Sequence, residues 1–166
     1  MNIELLKNIL AFLVLLLVQA LVLNHIHLFG CATPLLYLYM VLSFQRDYAR
    51  WAILLWCFVM GLAVDVFSNT PGVAAGTMTL IGFLQPYILG MFIQRDSPDD
   101  LKPSMRTLGI FRFASYSLII VTVYCLVFFT LESFNFFNWL QWLECVCGSS
   151  VLTLILIWVI ENFKTK

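Results

Sequence analysis

The residue in this chain whose type and setting most invite chemistry is Asp65, in the run Gly61-Leu62-Ala63-Val64-Asp65-Val66-Phe67-Ser68-Asn69-Thr70-Pro71-Gly72. A carboxyl group facing lipid is costly, so it must turn into the protein, accept hydrogen bonds or take up a proton. Three roles are open to it. Its oxygens could accept from the turn at 68–72 or from the backbone amides that begin the next helix. It could meet a substrate or a partner protein. It could also bind a proton or an ion, which asks for a second ionisable group at comparable depth. Glu144 is the candidate for that second group. An interfacial position explains Glu144 equally well, because a glutamate near a helix end need not be buried. Glu132 falls in a loop and is expected to be solvated.

Other reactive residues form no recognisable set. His25-x-His27 has the wrong spacing for a shared helix face and lacks a third ligand. Cys145-x-Cys147 on a helix would point its thiols to different faces, poor geometry for zinc or a disulfide. With Cys31, Cys57 and Cys125 the total is 5, an odd number, mostly within apolar runs where cysteine acts as a small hydrophobe. No His-Glu-x-x-His, Gly-x-Ser-x-Gly or phosphate-binding glycine loop occurs. The sequence therefore predicts no catalytic residue, no metal site and no cofactor. Gln85-Pro86 interrupts an apolar run, and a proline there frees a carbonyl and kinks a helix or lines a site. Gly72-x-x-x-Gly76, Gly82 and Gly148 permit close helix approach, within the chain or between chains.

The elements that must position these residues follow from composition. Hydrophobic residues make up 62% of the 166 and charged residues 11%, against roughly 45–50% and roughly 25% in soluble domains. A chain this short cannot bury that much apolar surface inside itself, and lipid is the solvent for the excess. Nine basic and nine acidic residues leave a formal charge of zero with no basic stripe, which argues against nucleic acid. Helical spans are expected at about 5–23, 28–44, 51–67, 73–93, 110–131 and 139–160, in a single domain over 1–166. The first is read as a retained span, since no small-x-small cleavage site follows it. A barrel would need alternation that Leu13-Val14-Leu15-Leu16-Leu17-Val18 lacks.

Charge fixes the expected topology. Lys7, Arg46, Arg50, Arg95, Lys102, Arg106, Arg112, Lys164 and Lys166 all fall on one side of these spans, and the opposite loops at 24–27, 68–72 and 132–138 hold no basic residue. The positive-inside rule then gives six spans with both termini cytoplasmic. Tyr48, Trp51 and Trp158 would mark the inner interface, and Phe134, Phe136, Phe137, Trp139 and Trp142 the outer one.

Gly61, Leu62, Asp65 and Gly72, with Pro71, resemble a motif of the rod shape-determining protein MreD family, in which a glycine-leucine pair precedes an aspartate, a turn and a glycine. Ile26-His27-Leu28-Phe29-Gly30-Cys31-Ala32-Thr33-Pro34 is similar to that family's approach to its second span, although Leu35 stands where many members have aspartate. The resemblance implies a non-enzymatic bacterial inner-membrane component of the cell-elongation machinery. Its partners would be MreC, the actin-like MreB filament, and the RodA glycan polymerase with its transpeptidase. It also implies a fold similar to the substrate-binding subunits of energy-coupling vitamin transporters. The alternative function is a small-solute binding or transport subunit, with an outward cavity near Asp65, Glu144 and Gln85.

Overall fold

A computed structural model describes residues 3–21, 33–46, 48–93, 101–133 and 139–165. Every regular element among them is a helix: α1 Ile3–Leu21, α2 Leu38–Leu42, α3 Arg50–Ser68, α4 Val73–Phe92, α5 Met105–Leu108, α6 Ile110–Ser133 and α7 Trp139–Thr165. Four of them, α3, α4, α6 and α7, are long and apolar enough to cross a membrane, and α1 contains a shorter apolar run, Asn8–Leu21. Their outward faces are apolar as well. Leu55, Val66, Phe83, Phe111, Leu118 and Ile155 are all exposed, the pattern of helices whose surroundings are hydrocarbon rather than water.

The bundle is built around α4, which packs against α3 on one side and α6 on another, while α7 lies on α6 and α1 on α3. The α3–α4 seam is the tightest. A Cβ on Gly61 would stand 2.5 Å from the Ala75 Cα and 2.6 Å from the Ala74 carbonyl oxygen. One on Gly82 would stand 2.7 Å from the Cys57 Sγ. Both helices therefore approach to a distance that only glycine allows, which gains dispersion contact where no hydrophobic drive operates between helices. Tyr37, Met60, Met78, Ile81, Tyr116 and Tyr124 fill the centre without exposure, and the Tyr37 and Tyr124 hydroxyls bond to each other.

The second expected span differs most from the reading of the sequence. Its helix is confined to Leu38–Leu42, preceded by irregular backbone at 33–37. Pro34 has no N–H to continue a helix, and the neighbouring backbone groups are satisfied from other elements. The Thr33 amide donates to Ser149 Oγ at 3.1 Å, and the Leu35 amide to Thr153 Oγ1 at 3.0 Å. The Gln19 side chain accepts from the Leu36 amide and donates to the Pro34 carbonyl, each at 3.0 Å. Irregular backbone inside a bundle persists where protein groups replace the missing ladder. In place of six regular spans, the described residues hold four helices long enough to cross a membrane, one shorter apolar helix and this broken segment. The connection after α4 adds a short helix, α5, closed by a capping box between Ser104 and Thr107. The expected loop at 24–27 with its two histidines, Cys31 and the approach motif before Thr33, residues 94–100, and Phe134, Phe136 and Phe137 lie outside the described residues.

Candidate functional site

Asp65 ends one helix and begins the next. Its main-chain carbonyl accepts from the Asn69 amide and, at 3.3 Å, from the Thr70 amide. Asn69 is left-handed at φ 56°, the usual stop for a helix, with Pro71 two residues on. Gly72 follows at φ 85°, a conformation that disfavours a side chain, and so α4 begins without a capping group of its own. Asp65 supplies it from the preceding turn of chain. Oδ1 accepts from the Ala74 amide at 2.8 Å and from the Thr70 hydroxyl at 3.0 Å, and Oδ2 from the Ala75 amide at 2.8 Å. These are two of the amides that a helix start leaves unpaired, where its dipole also favours a carboxylate. Gly61 completes the device, since its missing side chain is what lets Ala74 and Ala75 come close enough to be reached.

On the outer face of this turn, Phe58, Leu62, Val66, Asn69, Pro71 and Ala75 line an open apolar groove of about 410 Å³ that reaches Asp65 and Gly72. Leu62, Val66 and Pro71 are exposed. Gly61, Leu62, Asp65, Pro71 and Gly72, which stand together as a motif in the sequence, therefore also belong to one structural unit.

Glu144 does not join it. That residue is exposed on α7, and the cavity behind the turn is lined instead by Gln19, Thr33, Tyr37, Thr70 and Glu132, with a volume of about 280 Å³. The two-carboxylate cavity foreseen around Asp65 and Glu144 is thus replaced by one that uses Glu132. Gly76, expected at a packing contact, faces open space on α4, whereas Gly82, read from the sequence as a packing position too, lies in the α3–α4 seam together with Gly61. Gly148 is half-buried. Its neighbours Ser149 and Thr153 serve the broken segment as hydrogen-bond acceptors. Gln85 is fully buried, donating to the Tyr116 hydroxyl at 3.1 Å and the Phe44 carbonyl at 3.4 Å, and α4 continues through Pro86. Cys145 is half-buried and Cys147 exposed, on different faces of α7. Among the described residues no group of three His, Cys, Asp or Glu side chains is placed to hold a metal ion.

Two polar residues escaped the sequence reading. Gln19 is buried in the last turn of the apolar helix α1 and carries the irregular backbone of residues 34–36. Glu161 is buried near the end of α7, where Oε2 accepts from the Tyr39 hydroxyl at 2.7 Å and Oε1 from the Met105 amide at 3.3 Å. A buried-polar signal was present for Gln19, since a lone amide within Leu and Val must find partners. Glu161 lies close to Lys164 and the chain end, where a charge reads as interfacial.

Compared with models of protein families, with curated proteins and with solved structures, the chain matches none of them, and its function is read from its own geometry.

Proposed function

We propose that the chain is a non-enzymatic membrane component of the MreD kind, which holds partner membrane proteins of the bacterial cell-elongation machinery through helix–helix contact. The observation that carries this reading is the convergence of Gly61, Leu62, Asp65, Pro71 and Gly72 on one rigid turn with an apolar groove on its lipid-facing side. Asp65 acts there by orienting the ends of α3 and α4. Partner helices meet the exposed Leu62 and Val66 beside the open surface of Gly76. On this reading the chain crosses a bacterial inner membrane six times, the broken segment making the second crossing, with both termini cytoplasmic. The clustering of basic residues supports that orientation, since Lys102 and Lys164 line one cavity with Asn8 of α1, while Ala20, about three turns further along α1, lines another with Ser68 and Thr70. MreC, MreB, RodA and its transpeptidase are the partners that the motif implies.

A chromosomal Asp65→Ala strain tests the reading. Rounded cells and loss of MreC from the affinity-purified chain are the expected result. Normal shape with full MreC recovery would contradict it.

The second reading, a small-solute subunit, draws on the cavity at Gln19, Thr33, Tyr37 and Glu132. At about 280 Å³ it falls just below the range of roughly 300–1,000 Å³ typical of ligand pockets. Co-purification of a transporter ATPase in place of MreC would favour it.

A further inference from the structure

At the other end of the bundle, the start of α1, the end of α2, the segment before α5 and the end of α7 enclose a cavity of about 370 Å³. Among the described residues its charged lining is Lys102 and Lys164, with Asn8, Tyr39, Ser43 and Tyr48 among the polar groups around them. We propose that this cavity binds a phosphate group, that of an anionic membrane lipid.

Both lysines are positioned rather than merely nearby. The Arg46 amide donates to the Leu101 carbonyl at 3.4 Å, which brings the segment of Lys102 beside the end of α2. The Thr107 hydroxyl donates to the Lys102 carbonyl at 2.7 Å. Lys164 stands over the Tyr39 ring, 5.8 Å from its centroid, with its ammonium 3.4 Å from the Tyr39 hydroxyl. That hydroxyl spends its own proton on Glu161, so its oxygen is the acceptor that steadies Lys164. Among the described residues Glu161 is a carboxylate close to this site, with Oε2 accepting from the Tyr39 hydroxyl and Oε1 from the Met105 amide. An ammonium has three protons, and two remain on Lys164 for a ligand beyond the one aimed at Tyr39.

A lipid fits better than a soluble anion because of what adjoins the cavity. Ala11 forms part of its wall, and beside it Leu10, Val14 and Leu17 run along one face of α1, all exposed. This is an apolar track on which acyl chains can lie while the headgroup occupies the polar cavity. Basic pockets between membrane helices recognise headgroup phosphates in this way. The inference is independent of which partner the chain holds.

The test uses the full-length chain purified in neutral detergent, with lipid occupancy read by native mass spectrometry. The wild type should retain phosphatidylglycerol in preference to phosphatidylcholine. Lys102→Ala with Lys164→Ala should lower phosphatidylglycerol occupancy by about ten-fold or more, from the two lost charges. Lys102→Arg with Lys164→Arg should keep it. Arg50→Ala with Arg112→Ala, which removes two charges outside the cavity, should change it by less than about two-fold. Unchanged occupancy in the double-alanine variant would overturn the proposal, as would an equal loss in the arginine variant. A melting temperature raised by inorganic phosphate, without preference for phosphatidylglycerol, would assign the site to a soluble anion and overturn the lipid. Should the double-alanine variant not fold, Ala11→Leu carries the test by narrowing the cavity with both charges in place. Reduced lipid occupancy in it supports the proposal and full occupancy overturns it.

Discussion

Each end of the bundle holds a buried carboxyl group that accepts from the start of a helix, and the two are built differently. Asp65 is a local device. Its side chain bonds to Thr70, Ala74 and Ala75, all within ten residues of it, and the two backbone bonds are 2.8 Å. Glu161 is a tertiary fastener that gathers Tyr39, 122 residues away, and Met105, 56 residues away, the second at 3.3 Å. The contrast lies in what each oxygen faces. At Asp65 each oxygen meets a backbone N–H, a donor that cannot reverse its role. At Glu161 one oxygen meets a tyrosine hydroxyl, which can donate or accept. The Asp65 end should therefore be rigid and intolerant of change, the Glu161 end adjustable.

The sharpest way to break this comparison is Asp65→Ala. It leaves the buried Ala74 and Ala75 amides without an acceptor, and we expect a loss of about 3 kcal/mol from two unpaired groups at roughly 1–3 kcal/mol each. Thermal unfolding in detergent measures it. Asp65→Asn should lose more than half as much, since an amide offers one oxygen to two fixed donors and turns its NH2 toward the other. A melt like the wild type for both variants would mean that the cap is dispensable. Next comes Gly61→Ala. Alanine favours a helix by about 1 kcal/mol, yet its Cβ would meet backbone rather than a flexible side chain. Forcing α3 and α4 apart should cost about 1–3 kcal/mol net, read in the same melt.

Glu161→Gln sharpens the other half. Its amide can accept from Met105 and donate to the Tyr39 oxygen, so the loss should stay near or below about 1 kcal/mol. A loss equal to that of Asp65→Asn would erase the distinction between the two ends. The smallest effect belongs to Gly76→Ala. Nothing lies within 4 Å of a Cβ there, so stability should be unchanged or raised by up to about 1 kcal/mol. Weaker MreC recovery with an unchanged melt would mark that surface as a partner contact.

What could be read from the sequence follows the same division between local and distant. Asp65 was legible because a carboxyl group in an apolar run, followed within a few residues by Asn69, Pro71 and Gly72, names its own partners. The helices α3, α4, α6 and α7 were legible to within a few residues, because unbroken apolar length is what a membrane requires. The second span was not. Its irregular backbone depends on Gln19, Ser149 and Thr153, the latter two more than a hundred residues distant, and apolar composition alone reads as a helix. Gly61 and Gly76 make the same point. Both are glycines in apolar runs, yet only the register of α3 against α4 decides that the first is pressed on backbone and the second is open. Glu144 shows the same limit, since the depth of a residue along a helix does not fix the direction it faces. It is exposed away from the Asp65 turn, and Glu132, itself exposed as expected, is the glutamate that lines the cavity behind the turn.

The proposal that partner helices dock beside the Asp65 turn is most directly tested by a photo-reactive residue at Val66, an exposed position on the groove. Activated in intact cells, it should form a discrete adduct with MreC or another elongation protein, and that adduct should fade in an Asp65→Ala background. Adducts with lipid alone, in cells where the chain is folded and abundant, would contradict the account.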